Sequence, residues 1–432
     1  MIVFRLGRPG IHLFNPNSIL LVLWLFLLVF PKGGFKIGPI PLTWGYLLLT
    51  ALSIVSMFRS HFRCHTQRLN AFLLTLPFQL ICMFSFLAYG IGDFAFSLSF
   101  ILSFFFFPWV FFIFFSEFIE SLDLTFLFSL LRKGVFFVAA YGVFLFIFKK
   151  VTGQFIEIPF LTINFHDFGT IDLKHINRGT VFKLISTYNN GNIYGICILM
   201  FLPLYLFLER SSWKKTIVIL SLILSLSRTV WIGLLFSELT TALFASKKPA
   251  YSRLLGGLFS ACLAIFAILY YFEFDISFLF DRNLGGRSEQ LQALYAVTIF
   301  PDKPFCGIWE MVYLSVLSNF GIIGLFSYLL CLCSPILLTL IRSPISLPHK
   351  RLLCGLANFL FVSISDGALL YIPVLVFYWF LSSLSLRNAL TQPSDQRLQT
   401  SSDFPKKIKC LSVENNWNIS PSTRDLCDTK KH

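Results

Sequence analysis

The chain has 432 residues, of which 56% are hydrophobic, 18% aromatic and only 13% charged. That is too little polar surface to cover a soluble core of this size, so the composition excludes a soluble globular protein and points to a multispanning membrane protein. The formal net charge of +14 does not signal nucleic-acid binding, because lysine and arginine come in small clusters between apolar runs, as membrane-topology signals do.

Allowing roughly 20 residues for each crossing of a ~30 Å hydrocarbon core, apolar runs lie near 17–31, 39–58, 69–90, 94–116, 134–148, 191–208, 216–227, 229–245, 254–272, 311–341, 352–365 and 368–386. These predict an all-α fold of about twelve transmembrane helices over residues 1–387, followed by a polar, aperiodic tail over 388–432 with the composition of a disordered segment. The first run, Ser18 to Phe30, lacks a small-residue cleavage site and reads as a retained helix rather than a signal peptide.

The stretch "TIVILSLILSLSRTVWIGLLFSELTTALFA" is one continuous apolar block, about 45 Å long if it were a single helix. Its flanks, "ERSSWKK" and "SKKPAYSR", are both basic. Basic flanks favour the cytoplasm, so the chain must cross twice and turn near Ser227 and Arg228. The same reasoning divides the last apolar block, flanked by "RSPISLPHKR" and Arg387, at a turn near Asp366 and Gly367.

This topology leaves 17 lysines and arginines in the cytoplasmic loops and N-terminus, 11 outside and seven in the tail. Both termini are then cytoplasmic. Two outer segments are long, 149–190 and 273–309, and function is expected in such loops, which are predicted to carry short helices.

Arg178, Arg228, Arg282 and Arg287 all fall on the outer side, against the topology bias. A guanidinium placed there offers a planar, permanently charged fork for phosphate or carboxylate oxygens; the bland alternative is a side chain reaching up to lipid headgroups. In "RSEQLQALYAVTIFP" the spacing of Leu291, Leu294 and Val297 predicts a short amphipathic helix on the membrane surface with Arg287 in its first turn, preceded by a turn at Gly285 and Gly286.

Glu310 opens the tenth run, where it reads either as an acid complementing the helix dipole or as a general base that takes a proton from a sugar hydroxyl. Asp366 and Asp93 read as turn residues, and "STYNNGN" as the start of a helix with Asn192 in its first turn. His166, Asp167, Asp172 and His175 match no strong metal spacing, and neither do His61, Cys64 and His65 in "RSHFRCH". Ten scattered cysteines imply no disulfide framework. The chain has no nucleotide loop, no G-x-S-x-G and no H-E-x-x-H.

Between Arg178 and Leu325 the chain resembles the O-antigen ligase and O-antigen polymerase superfamily of bacterial polytopic membrane glycosyltransferases. The matching pieces are Arg178-Gly179 followed by Tyr188-Asn189-Asn190-Gly191-Asn192, "LSLSRTVWIGLL", "GGRSEQLQALYAVTIFPDKPFCGI" and "EMVYLSVLSNFGIIGLFSYLL". The resemblance implies transfer of undecaprenyl-diphosphate-linked glycan on the periplasmic face of the inner membrane to a glycan or lipid acceptor, with membrane lipids as surroundings, no nucleic acid, and no metal or other cofactor. Carried over by position, Arg178 and Arg287 would hold the donor diphosphate and Arg228 would support it, with Arg282 and Asn192 nearby and Glu310 activating the acceptor hydroxyl.

Two departures stand out. Asn-Pro-Asn is frequent in the family where this chain has Asn190-Gly191-Asn192, and the ligase branch typically carries a histidine where this chain has Glu310. The second departure favours a polymerase of repeat units over a ligase. A lipid-linked oligosaccharide flippase is the rival from another class; related halves and midplane polar groups on broken helices would mark it, and no internal repeat is visible.

Overall fold

The computed structural model describes residues 2–5, 16–37, 40–57, 61–171, 177–178, 181–244, 287–291, 294, 297–342, 345–371 and 373–387. Arg282, Gly285, Gly286, the apolar run at 254–272 and the tail from 388 lie outside them.

The described chain is mostly helical, and each of the other eleven apolar runs carries a helix. Five, Thr66–Tyr89, Phe94–Phe114, Leu124–Thr152, Gly191–Leu208 and Val312–Leu340, are long and apolar enough to cross a membrane. The shorter ones include Trp44–Met57, Ser212–Leu224, Arg228–Phe244, Leu347–Val362 and Val374–Ser385. The expected division of the 30-residue block is present, with Ser225 to Ser227 turning the chain and Leu226 at a positive φ of 48°.

Several boundaries differ from expectation. The run read as 134–148 is the core of a 29-residue helix that starts at Leu124, where the Asp123 carboxylate accepts from Thr125 N–H at 2.9 Å. Of the short amphipathic helix expected between Arg287 and Pro301, the described part is Arg287–Leu291, and it does not extend to Thr298 and Ile299, whose carbonyls are bonded elsewhere. Nor is the fold purely α, since short antiparallel pairs join Ile2–Arg5 to His61–Cys64, Gly34–Ile37 to Ile40–Thr43, and Asn177–Arg178 to Val181–Phe182.

Three helices pack closely because glycine removes the side chain where they cross. A Cβ on Gly355 would stand 2.0 Å from the Met200 carbonyl, one on Gly195 would meet Val230, and one on Gly233 would meet Leu199 and Val362. Small residues let helices approach in lipid, where no hydrophobic gain separates helix from solvent. Asn358 adds a buried hydrogen bond to the Leu199 carbonyl at 3.2 Å. The trio Gly191–Leu208, Arg228–Phe244 and Leu347–Val362 is thereby locked, and it brings Asn192, Arg228 and Asp366 to the same end.

The connections form two sets, one at each end. In the first, Gly34 bridges to Asn164, Gly92 N–H donates to Phe305, Leu184 N–H to Leu224, and Gly367 N–H to Glu310. In the second, Arg342 donates to Gln67, Arg132 to the Leu208 carbonyl and Arg387 to the Leu122 carbonyl. These are called below the Asp366 end and the Arg68 end.

The Val312–Leu340 helix breaks at Gly321, whose φ of 70° is left-handed. Beyond the break, Ile322 N–H and Ile323 N–H bond out of the helix to the carbonyls of Thr298 and Ile299 at 3.0 and 3.2 Å. The Ile299 carbonyl lies 2.6 Å from where a Cβ on Gly321 would stand, so both space and φ require glycine.

Candidate functional site

At the Asp366 end the chain enters the Gly191–Leu208 helix through Asn190, whose side-chain oxygen accepts from Asn192 N–H and Ile193 N–H at 2.8 and 3.2 Å. This confirms the helix start read from "STYNNGN" and fixes the direction of Asn192. Gly191 fits because space is short: a Cβ there would sit 2.7 Å from the Leu184 carbonyl and 3.1 Å from that of Ser225.

Asn192 Nδ2 donates to Asp366 Oδ2 at 2.6 Å. The same carboxylate oxygen stands 3.5 Å from Arg287 Nη2, which in turn stands 2.9 Å from Glu310 Oε2. Four segments far apart in sequence therefore converge on one cluster.

Within it the two acids differ. Glu310 is about half exposed (50%), whereas the Asp366 side chain is 6% exposed. Burial first, and then the Glu310 charge, push the Asp366 carboxyl from its ordinary value up to about 6, against the opposing pull of Arg287 and the Asn192 hydrogen bond. A carboxyl so placed can exchange a proton near neutral pH. Tyr371, on the same turn, has its phenol raised by burial and then by the charges of Asp366 and Glu310.

Of the residues singled out from sequence, Arg287 and Glu310 meet directly, and Asn192 joins them through Asp366. Arg228 opens its helix beside them: neighbouring Thr229 hydrogen-bonds Ser365 at 2.7 Å, next to Asp366. Its Nη2 is buried without a hydrogen-bond partner among the described residues. Arg178 sits in the two-residue strand paired with Val181–Phe182, with its side chain outside the described part, and Arg282 is outside it altogether.

Asp366 is the residue the sequence reading missed. It lies in the turn expected for it but is a buried hub rather than a solvated turn residue. The available signal was its position, an acid at the apex of an apolar hairpin, where an unpaired charge is costly. Among the described residues no group of three His, Cys, Asp or Glu side chains stands together in a metal-binding arrangement.

The cluster can hold and release charge. One guanidinium is shared by two carboxylates, so an incoming anion can replace the exposed Glu310 on Arg287 while Asp366 keeps the guanidinium oriented. No protein-family model, curated protein or solved structure matches the chain.

Proposed function

We propose that the chain is a metal-independent inverting glycosyltransferase of the bacterial inner membrane, polymerising undecaprenyl-diphosphate-linked repeat units on the periplasmic face. In this reading it crosses the membrane twelve times, both termini are cytoplasmic, and the Asp366 end faces outward. The observation that carries the proposal is the convergence of Arg287, Glu310, Asp366 and Asn192 at one end of an apolar helical bundle. The motif resemblance between Arg178 and Leu325 supports it.

The donor diphosphate binds Arg287 together with Arg228, whose buried Nη2 has no hydrogen-bond partner among the described residues. Arg178 and Arg282, on the two long outer segments, add positive charge. Binding displaces Glu310 from Arg287, and the freed carboxylate takes the proton of the acceptor hydroxyl. The acceptor oxygen then attacks the anomeric carbon from the side opposite the diphosphate. The bond from that carbon to the phosphate oxygen breaks, its electron pair leaves with the diphosphate, and the guanidinium groups stabilise the developing charge. Asp366 and Asn192 are positioning residues for Arg287.

The rivals are an O-antigen ligase that transfers the glycan to lipid A-core and a flippase for the same lipid-linked glycan. Deletion in the native host, followed by gel analysis of surface glycan, tests all three. The polymerase reading expects cores capped with a single repeat. Bare cores with accumulated lipid-linked polymer indicate the ligase. Lipid-linked single repeats trapped on the cytoplasmic side indicate the flippase, and an unchanged ladder overturns the glycan-assembly proposal.

A further inference from the structure

A second polar site stands beside the cluster. A cleft of about 310 Å³ at the Asp366 end is lined by Lys32, Lys36, Asn164, Asp167, Asn190 and Tyr371, among others. That volume falls in the range of small-ligand sites. Its wall is rigid: Gly34–Ile37 and Ile40–Thr43 form a hairpin, Gly34 bridges to Asn164, and Trp44 Nε1 donates to the Phe160 carbonyl at 2.7 Å.

Two lining residues carry buried polar atoms without a hydrogen-bond partner among the described residues, Thr43 Oγ1 and Asn164 Nδ2, on residues only 2% and 5% exposed. Leaving such groups unsatisfied is unfavourable, and small side-chain rotations would bring them to oxygen-rich ligand groups in the cleft. Lys36 Nζ meets Asp167 at 2.6 Å, and Lys32 Nζ lies 5.9 Å from the centre of the Tyr371 ring. The rim is of opposite character. Ile37 follows Lys36, and Phe165 and Phe168 flank Asn164 and Asp167 in the chain; all three are exposed, as is Phe160, whose ring stacks on that of Phe165 at 4.7 Å.

Two ammonium groups and unsatisfied polar groups inside, with exposed hydrocarbon at the lip, match an amphiphile with an anionic head. A diphosphate takes the lysines, the first sugar meets Asn164, Thr43 and Tyr371, and the isoprenoid lies along the phenylalanines. We infer that this cleft binds a second polyprenyl diphosphate, the lipid carrier of the acceptor glycan, while the arginines hold that of the donor. The inference rests on the polymerase reading: a polymerase must hold two lipid diphosphates at once, whereas a ligase needs one. Tyr371 lines the cleft and feels Asp366 and Glu310, so an acceptor bound there extends its glycan toward the base.

The test uses the full chain in lipid nanodiscs and titrates undecaprenyl diphosphate, with undecaprenol and inorganic pyrophosphate as comparison probes. Wild type should bind two undecaprenyl diphosphates per chain. A Lys32→Gln, Lys36→Gln double variant with an unchanged unfolding midpoint should bind one, with at least tenfold weaker affinity at the lost site. Asp167→Asn, which releases Lys36 from its pair, should tighten that site severalfold.

A wild-type stoichiometry of one, or two sites unaffected by the lysine variant, overturns the inference. So does pyrophosphate binding as tightly as the lipid, which would mark a free-phosphate site. Glycan transfer with only one site leaves the enzyme reading standing without the cleft. Two sites without any transfer leave the cleft standing as a lipid-diphosphate site while the polymerase reading falls.

Discussion

Both ends of the bundle carry a guanidinium held 2.9 Å from a glutamate, Arg68 with Glu120 at one and Arg287 with Glu310 at the other, yet the two pairs are built differently. Arg68 is fully buried, and its remaining donors are met by backbone: Nη1 reaches the Ser116 carbonyl at 2.8 Å and Nε that of Ser383 at 3.3 Å. Arg387 approaches the same glutamate at 3.8 Å and donates to the Leu122 carbonyl at 2.9 Å. The helices starting at Thr66 and Ser116 are thus tied to the end of the Val374–Ser385 helix by guanidinium groups held on a glutamate and on backbone carbonyls. At the Asp366 end two carboxylates compete for one guanidinium, and one of them faces solvent. The first arrangement holds the fold together and the second is open to exchange, although the residue types are the same.

The comparison can be broken first at Glu120. Replacing it with alanine strands the buried Arg68 charge and should cost about 3–5 kcal/mol, seen as a large fall in the unfolding midpoint in detergent. Loss of no more than Glu310→Gln shows would erase the distinction. Arg287→Lys should do the reverse, lowering glycan transfer by about a hundredfold while stability stays near wild type, because an ammonium keeps the charge and loses the fork. Normal glycan length in such a strain would remove Arg287 from the reaction.

The acidity of Asp366 gives a subtler contrast. With its carboxyl raised to about 6 in the fold against an ordinary 3.8, folding favours the protonated form. Its stabilising contribution is therefore complete below about pH 4 and lost as pH rises through about 6, a change of up to about 3 kcal/mol. Asp366→Asn should flatten this pH dependence when unfolding midpoints are followed from pH 4 to 7. The smallest effect is expected for Glu310→Gln on stability, within about 1 kcal/mol, since the group is half exposed and Arg287 retains Asp366.

Hydropathy located the helices because a lipid-facing segment must be apolar along its whole length, and basic flanks divided the blocks around Ser227 and Asp366 as the chain does. Arg287 and Glu310 were legible because charge is conspicuous where hydrocarbon is expected. Asp366 was not, because what makes it unusual is burial against Asn192, 174 positions earlier in the chain, and nothing local records that contact. Where the surface helix after Arg287 must stop was hidden for a related reason: spacing alone does not record that Thr298 and Ile299 are recruited by the break at Gly321. The lysine cleft was hidden as well, since its walls come from loops that look like ordinary solvated connections.

That break also has a mechanical consequence. Two amide hydrogens of an apolar helix find acceptors in the strip leading to Glu310, and an amide left without an acceptor is costly in hydrocarbon. Withdrawing the strip would expose both amides to hydrocarbon, so it is anchored like a bracket screwed into a beam. Side chains on the strip can reorient, but the backbone beneath them stays put.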